Sequence, residues 1–364
     1  MITPNTPPNR AHIRKTAAGR PTLHDVAAIA AVSTKTVSRV INEPEAVREE
    51  TRARVQAAID MLGFRPNESA RQLRKGKSKI IGLLLEDISD PFNGILTLAV
   101  QEVAYERGYT IIAASSEEDQ GRAASIIDSF TALGASGIIV APAPEMRVSL
   151  LDDAMAKGCA VVLVDRWLDV DNVDAVLADN FGGGYAGTKH LIAQGHTRIA
   201  FVGDRAEIYT AAQRHAGYLQ ALGEAGIAAD PALMMRHAPV TASMSDLRQR
   251  ILSHENPPTA IFSGNNRWTI RLLHELPGLR FQGADLALVG FDDFELSNVV
   301  QPGVTVVAQD PRRMGRLAAE QVISRIDGNS GAPERIELPV EFIARGSGER
   351  APQSRQGIGA MKSG

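Results

Sequence analysis

The chain has little of what enzymes and secreted proteins commonly display. It contains one cysteine in 364 residues, Cys159, which excludes an intramolecular disulfide and a cysteine-based zinc site. Its eight histidines are scattered, and the hydrolase motifs H-E-x-x-H and G-x-S-x-G are absent. No apolar run is long enough to span a membrane, and residues 1–20 lack the apolar segment of a signal peptide. We therefore expect a cytoplasmic protein that is not an enzyme and holds no cofactor or metal.

Charge is unevenly divided along the chain. Residues 10–79 contain fifteen Lys or Arg against seven Asp or Glu, whereas the whole chain has a net charge of −3. A basic head on an acidic body is typical of a protein whose head binds a polyanion. A solvated basic face without a partner would give the same count, so charge alone leaves both interpretations open. The length also indicates two or three domains.

The stretch HDVAAIAAVSTKTVSRVIN, residues 24–42, predicts two helices joined by a tight turn. Thr22 and Asp25 form a capping-box pattern before the first helix, and Ser33 can cap the second. The apolar residues at helical spacing that would pack together are Val26, Ala27, Ala30, Ala31, Val37, Val40 and Ile41. Small residues on the first helix would let the second approach closely at a steep angle. This pattern indicates a helix-turn-helix.

The outer side of the second helix carries polar and cationic side chains. Thr34 and Ser38 lie there beside Lys35 and Arg39, which are four residues apart and point the same way. Long cationic side chains can reach guanine O6 and N7 in the DNA major groove, where this helix would bind. An ordinary helical hairpin with a solvated polar face is the alternative.

A third helix and a basic segment follow. The helix is predicted from about Glu49 to Leu62, with Gly63 ending it. After Pro66 comes the polar, weakly helical stretch NESARQLRKGKS, in which Leu73 stands alone among arginine and lysine residues. An isolated leucine in such a stretch buries nothing within a monomer, which favours a partner for it.

From residue 78 onward, short apolar strands alternate with helical segments. Candidate strands lie at 79–86, 109–115, 136–142, 159–165, 175–179, 198–203, 259–264 and 286–292. Near-continuous Val, Ile and Leu predict strands buried on both faces, and hence a parallel α/β fold. Ligands bind beyond the carboxyl ends of such strands. This predicts one crevice near the residues that end or follow the strands, namely Asp90, Phe92, Asp165, Asn265 and Asp292.

Several motifs occur in order between roughly residues 21 and 347. They are TLHDVAAIAAVSTKTVSRVIN, LGFRPNESARQLR, IIGLLLEDISDPF, VDR, DNFGGGYAGTKHLIAQGHTRIAFVG, QRHAGYLQAL, LVGFDD and LPVEFIARGSG. Together they resemble the lactose-repressor/galactose-repressor (LacI/GalR) family of bacterial transcription regulators. The resemblance implies an all-α helix-turn-helix head plus a two-lobed, periplasmic-binding-protein-like α/β core with parallel sheets. It further implies a repressor that binds double-stranded operator DNA and a small polar effector such as a sugar.

The resemblance also implies roles for particular residues. The base-reading positions are occupied by Thr34, Lys35 and Arg39. The positions that usually contact phosphates are occupied by Thr36, Ser38 and Asn42. Leu73 matches the hinge-helix leucine that enters the minor groove at the operator centre and kinks the DNA. The effector positions are occupied by Asp165, Arg214, Asn265 and Asp292, and Phe92 is a further candidate beside them. Carboxylates at strand ends also cap helices, so helix capping is an alternative role for each of these carboxylates considered alone.

The stretch NNRWT departs from the family pattern. Asn266 stands where an acidic residue is usual, and Arg267 and Trp268 follow it. The mouth of the predicted pocket is therefore less acidic than usual. Trp268 can stack on a sugar face or be buried as an ordinary helix residue.

A glycine-rich stretch favours an alternative class of protein, a dinucleotide-binding enzyme. GGGYAG at residues 182–187 satisfies G-x-G-x-x-G, and Asp204 lies about twenty residues further on, as in an NAD-dependent oxidoreductase. However, these glycines lie at a predicted helix start, no catalytic partner accompanies them, and a dehydrogenase has no use for residues 22–75.

The predicted organisation has five parts. They are a flexible arm at 1–20, the helix-turn-helix domain at 21–65, a hinge helix at 66–78, the core at 79–347 and a disordered tail at 348–364. The two lobes of the core are predicted as 79–178 with 308–328, and 179–307 with 329–347. The tail carries no leucine heptad, so we expect a homodimer rather than a tetramer. The motifs are compatible with a ligand that releases DNA and with one that promotes DNA binding.

Overall fold

The structure is a computed structural model that describes residues 21–65, 78–239, 241–253, 255–281 and 284–352. These residues form two compact units that divide between residues 77 and 78. The predicted arm, most of the hinge segment with Leu73, and residues 353–364 lie outside the described residues. Within the described ranges, no helix is both long and apolar enough to cross a membrane.

The head, residues 21–65, is helical. Its helices are α1 (Leu23–Ala30), α2 (Thr34–Asn42) and α3 (Glu49–Leu62), with a 3-10 turn at Pro44–Ala46. The predicted capping box is present, with the Thr22 backbone N–H donating to Asp25 Oδ2 at 2.8 Å. The Ser33 hydroxyl accepts from the Thr36 N–H at 3.1 Å and caps α2, as predicted.

The prediction for Ala31 is wrong. Instead of joining the apolar face, this residue is exposed and ends α1 in the left-handed conformation, with φ at 52°. That conformation turns the chain sharply into α2. The buried core of the head is formed by Val26, Ala27, Ala30, Val37, Val40, Val55, Ala58 and Phe64. Ile41, Ile59 and Leu62 are partly buried against it. Small side chains on α1 therefore let three short helices share one core.

The core of the molecule, from residue 78, contains two six-stranded sheets. The first has the strand order β13-β5-β4-β3-β1-β2, and the second has the order β14-β12-β11-β8-β6-β7. All pairs in the first sheet are parallel, and the pair β12–β14 is the antiparallel one in the second. A small antiparallel hairpin joins β9 and β10. The strands are β1 (Ile80–Leu85), β2 (Thr110–Ser115), β3 (Gly137–Val140), β4 (Ala160–Val164), β5 (Asp174–Ala178), β6 (Ile199–Gly203), β7 (Met234–Arg236), β8 (Ala260–Ser263), β9 (Arg280–Phe281), β10 (Ala284–Asp285), β11 (Ala287–Phe291), β12 (Thr305–Ala308), β13 (Arg335–Leu338) and β14 (Glu341–Ile343).

Helices cover the sheets and complete four buried apolar clusters. The helices are α4 (Pro91–Glu106), α5 (Gln120–Ala132), α6 (Ser149–Ala156), α7 (Asn180–Ala193), α8 (Tyr209–Glu224), α9 (Met244–Leu247), α10 (Asn266–Glu275) and α11 (Pro311–Ile326). Shorter turns lie at Pro231–Leu233, Arg248–Leu252 and Pro277–Leu279. All eight predicted strands are confirmed. Seven of them are largely buried on both faces, whereas β2 lies at the edge of the first sheet and is only partly buried. Six strands were not predicted, namely β7, β9, β10, β12, β13 and β14.

The predicted lobe boundary near the carboxyl end is wrong. Residues 329–338 belong with the first lobe, because β13 pairs in parallel with β5 and places Arg335 opposite Ala175. The side chain of Arg325 holds the same edge, donating to Asp174 Oδ1 and Oδ2 at 2.8 and 2.6 Å. The chain therefore crosses between the lobes three times, after β5, after β12 and after β13.

The first residues of the predicted disordered tail are ordered against the second lobe. The Glu349 carboxylate accepts from the Thr305 hydroxyl at 2.8 Å and from the Gly346 N–H at 2.7 Å. His196 Nε2 donates to the Arg350 carbonyl at 2.7 Å. Residues 349 and 350 therefore do not belong to a disordered tail, because they find partners on the folded lobe.

The glycines of the GGGYAG stretch serve helix packing. They lie inside α7, where a Cβ on Gly184 would collide with the backbone of Arg214 in α8. A Cβ on Gly217 would likewise collide with the Phe181 carbonyl oxygen. The two helices are thus in backbone contact, and this contact fixes the position of Arg214. The glycines fill a structural role that the dinucleotide-binding alternative does not explain.

Candidate DNA-binding face and ligand cleft

The head presents the predicted polar face of α2 to solvent. Val37 and Val40 are 0% and 6% exposed on the inner side, whereas Lys35 and Arg39 are exposed one turn apart on the outer side. Thr34 is half-buried at the first position of the helix. The arrangement leaves both cationic side chains accessible to a DNA base edge.

The predicted phosphate-contacting residues make local hydrogen bonds. The hydroxyls of Thr36 and Ser33 lie 2.9 Å apart, and Asn42 Nδ2 donates to the Ser38 carbonyl at 2.7 Å. A hydroxyl can both donate and accept, so Thr36 can contact Ser33 and a phosphate oxygen at the same time. Leu73 lies outside the described residues, and its minor-groove role stays a prediction.

The five predicted effector residues of the core surround one cleft between its lobes. The cleft measures about 580 Å³, counting the solvent at its mouth. Its charged, polar and aromatic lining from the first lobe comprises Glu86, Asp90, Phe92, Glu118, Asp165 and Arg166. From the second lobe and the crossing after β12 come Asp204, Thr210, Arg214, Asn265, Asn266, Arg267, Asp292 and Gln309. The carboxyl ends of parallel strands thus meet at one place, as the topology requires.

On the second-lobe side, a buried ion pair is held from several directions. Arg214 Nη1 donates to Asp292 Oδ2 at 3.2 Å and to the Gly264 carbonyl at 2.7 Å, and its Nε donates to Asn180 Oδ1 at 2.8 Å. Its guanidinium also lies 3.7 Å from the centroid of the Phe291 ring. Gln309 donates to the other oxygen of Asp292 at 2.6 Å. Burial raises the pKa of Asp292, and the positive charge of Arg214 opposes that rise.

On the first-lobe side, the carboxylate of Asp165 is left open. Arg166 donates to both oxygens of Glu118 at 2.8 and 2.7 Å, whereas its Nε lies 3.7 Å from Asp165 Oδ2. Asp165 is 6% exposed, and its Oδ1 has no hydrogen-bond partner among the described residues. Burial raises the pKa of Asp165, and the nearby carboxylate of Glu86 raises it further.

The mouth of the cleft is bridged by side chains from both lobes. Asn266 Nδ2 donates to Asp90 Oδ1 at 3.0 Å, and Arg267 Nε lies 3.2 Å from Asp90 Oδ2. Arg267 also donates to Asp87. The residues that depart from the family pattern therefore join α10 of the second lobe to the segment after β1.

Asn265 and Phe92 have structural roles as well as lining the cleft. Asn265 accepts from the Trp268 N–H at 2.9 Å and caps α10. Phe92, near the start of α4, is partly buried against the apolar core of the first lobe. Trp268 itself is fully buried and donates its indole N–H to the His237 carbonyl at 3.0 Å, so it is a core residue.

The sequence-based prediction missed several lining residues. Glu86 ends a predicted strand, and Glu118 and Asp204 follow predicted strands, so the rule that identified Asp165 could have found all three. Gln309 follows β12, which was not predicted, so no sequence signal pointed to it.

The chain combines a helix-turn-helix head with two α/β lobes that enclose a polar cleft. This combination defines a ligand-responsive DNA-binding regulator. Comparison with known proteins agrees. The family model described as "Bacterial regulatory proteins, lacI family" matches residues 22–67, and "Periplasmic binding protein-like domain" matches residues 188–348.

The relatives are close enough to show the family. The HTH-type transcriptional repressor PurR of Aliivibrio salmonicida is 30% identical over 90% of this chain and 98% of its own length. The ribose operon repressor of Escherichia coli K12 is 30% identical over 90% of this chain and 99% of its own. The crystal structure of the Lac repressor dimer bound to operator and the anti-inducer ONPF superposes with a TM-score of 0.74 at 25% identity, covering 91% of this chain and 100% of that chain. The chain belongs to the LacI family of bacterial regulatory proteins, and is a regulator rather than an enzyme.

Proposed function

We propose that this protein represses a carbohydrate-utilisation operon by binding a near-palindromic operator as a homodimer. A small polyhydroxylated effector in the cleft would change its affinity for DNA. The observation that carries the proposal is that both lobes contribute buried, charged side chains to one enclosed cleft. The relatives support this proposal, since they include a ribose operon repressor and an operator-bound Lac repressor dimer.

In the DNA half of this proposal, each head places one α2 in the major groove. Thr34, Lys35 and Arg39 read bases, whereas Thr36, Ser38 and Asn42 contact phosphates. Two copies of Leu73 enter the minor groove at the operator centre and kink it. Because operator DNA is the partner, the protein acts in the cytoplasm.

In the effector half, the carboxylates and guanidinium of the cleft hold hydroxyl groups. Asp165, Arg214 and Asp292 are buried and project polar atoms into it, Asn265 adds an amide, and Phe92 offers an aromatic edge. Effector binding and DNA binding are then linked, so each changes the affinity for the other by the same factor.

The test is selection of binding sites from random duplex DNA by the full-length protein, followed by fluorescence anisotropy on the selected site. We expect a near-palindromic site and a log–log salt slope of several negative units. Lys35→Ala and Arg39→Ala should each cost about 1–3 kcal/mol and relax the preference at one base position per half-site.

Arg54→Ala is the matched control, because it removes an exposed cation from α3 instead of α2. It should leave base preference unchanged. Selection of no preferred sequence, or a salt slope near zero, would contradict the proposal. Uniform weakening by Lys35→Ala on all sequences would reassign that residue to a phosphate.

A further inference from the structure

The ligand cleft contains more acidic than basic side chains. Its described lining includes six carboxylates, Glu86, Asp90, Glu118, Asp165, Asp204 and Asp292, against three arginines. An anionic ligand would add to this excess of negative charge in a site with limited solvent. The acidic surplus therefore favours a ligand that is not phosphorylated or carboxylated.

The three arginines already have carboxylate partners. Arg214 pairs with Asp292, Arg166 with Glu118, and Arg267 with Asp90 and Asp87. Glu86 and Asp165 make no hydrogen bond to an arginine in the described part of the chain. Asp204, on the second-lobe side, accepts only from the Arg205 backbone N–H among the described residues. Two of these three carboxylates, Glu86 and Asp165, thus lie on the first-lobe side of the cleft.

The same two carboxylates have buried oxygen atoms without partners. Glu86 Oε1 accepts from Asn93 at 2.7 Å, but its Oε2 is buried and has no hydrogen-bond partner among the described residues. Asp165 Oδ1 is in the same condition, on a side chain that is more than nine-tenths buried. Gln309 Oε1 is a third unpartnered acceptor in the lining, whereas Arg166 Nε is the unpartnered donor there. A buried acceptor without a donor is costly, so a complementary ligand is rich in donors.

We propose that the effector carries a protonated amine beside its hydroxyl groups, and that the ammonium lies between Glu86 and Asp165. The proposal rests on the proposed function, since it names the class of ligand that the cleft takes. An ammonium has three donor hydrogens and a full positive charge, so it can bond both open oxygens and offset their mutual repulsion. A hydroxyl supplies one donor hydrogen and no charge. Amino sugars and amino polyols combine this ammonium with hydroxyls for the Arg214–Asp292 side.

The experiment measures binding of matched pairs to the full-length protein by calorimetry and thermal shift. The pairs are D-glucosamine with D-glucose, D-galactosamine with D-galactose, and 1-amino-1-deoxysorbitol with sorbitol. N-acetylglucosamine serves as the neutral amide control. We expect at least one amine to bind tenfold or more tightly than its hydroxyl counterpart and its amide.

Glu86→Gln should reduce the affinity of that amine about tenfold or more and change the affinity of its hydroxyl counterpart less than threefold. Glu106→Gln removes an exposed carboxylate on α4 of the same lobe and should change neither. Equal or tighter binding of the hydroxyl members, or failure of every amine to bind, would overturn the proposal. Binding of a neutral polyol that alters operator affinity would do so while leaving the proposed function intact, whereas loss of operator recognition would reject the proposed function itself.

Discussion

The two lobes line one cleft with carboxylates but leave them in different states. In Asp292, on the second lobe, both oxygens are hydrogen-bonded, one by Gln309 at 2.6 Å and one by Arg214 at 3.2 Å. In Asp165, on the first lobe, Oδ1 has no partner within the described ranges and Oδ2 lies 3.7 Å from Arg166 Nε. A carboxylate bonded on both sides is fixed before any ligand arrives. The second-lobe side is therefore preorganised, whereas the proposed ligand would complete the first-lobe side.

Arg214→Ala should have the largest effect on the fold. It leaves the buried carboxylate of Asp292 without its cation, which costs about 3–5 kcal/mol in the free energy of unfolding. Urea unfolding of the core measures this. Adding Asp292→Asn to Arg214→Ala should recover part of the loss, because the uncompensated charge is removed. A loss below about 1 kcal/mol would show that the pair is not tightly held.

Asp165→Asn should have the opposite effect. The folded state keeps the Asp165 proton to a higher pH than the unfolded chain does. The contribution of Asp165 to stability is therefore fully present below pH ~4 and is lost as the pH rises through the raised pKa. The groups that act on this pKa are Glu86, Arg166, Arg214 and Asp292. At pH 8 the variant should be more stable than the wild type by at least about 1 kcal/mol, since one pKa unit corresponds to about 1.4 kcal/mol.

Asp174→Asn is the matched control for this experiment. The hydrogen bonds from Arg325 and from the Glu334 N–H hold the pKa of Asp174 below its usual range, despite burial. Its stabilising contribution is therefore present at neutral pH and lost as the pH falls below ~4. Urea unfolding between pH 3 and pH 8 measures the difference in the free energy of unfolding between the wild type and each variant. This difference should change with pH in opposite directions for the two variants. If both differences changed with pH in the same direction, Asp165 would not be an open carboxylate in contrast to the hydrogen-bonded Asp174.

Arg267→Ala should have the smallest effect on stability, up to about 1 kcal/mol, because its side chain is 30% exposed at the cleft mouth. It should still loosen the lobes, since Arg267 joins α10 to Asp87 and Asp90. Hydrogen exchange around residues 86–92 should become faster. Arg271→Ala, on the same helix but bonded to Ala242 within its own lobe, should leave that exchange unchanged. Equal protection in both variants would show that the bridge does not hold the cleft closed.

The sequence predicted the helices and strands better than it predicted where the lobes and the tail begin and end. The helices of the head and the eight long strands carry apolar patterns that local packing alone explains. The assignment of residues 329–338 failed because β13 alternates polar and apolar residues instead of forming a continuous apolar run, and because it pairs with β5, far away in sequence. The ordering of Glu349 and Arg350 failed for the same reason, since their partners lie on distant elements.

By itself, the amino-acid sequence determined the three-helix head, the parallel strands and the identity of several polar residues at the strand ends. These features depend on periodicity and burial, which act over a few residues. Only the tertiary structure decided which cleft carboxylates are satisfied. Arg214 and Gln309 reach Asp292 from separate elements, whereas Asp165 keeps an open oxygen beside Glu86. Hydrogen bonding and charge pairing depend on distances of about 3 Å between groups remote in sequence, and those distances are set when the lobes pack.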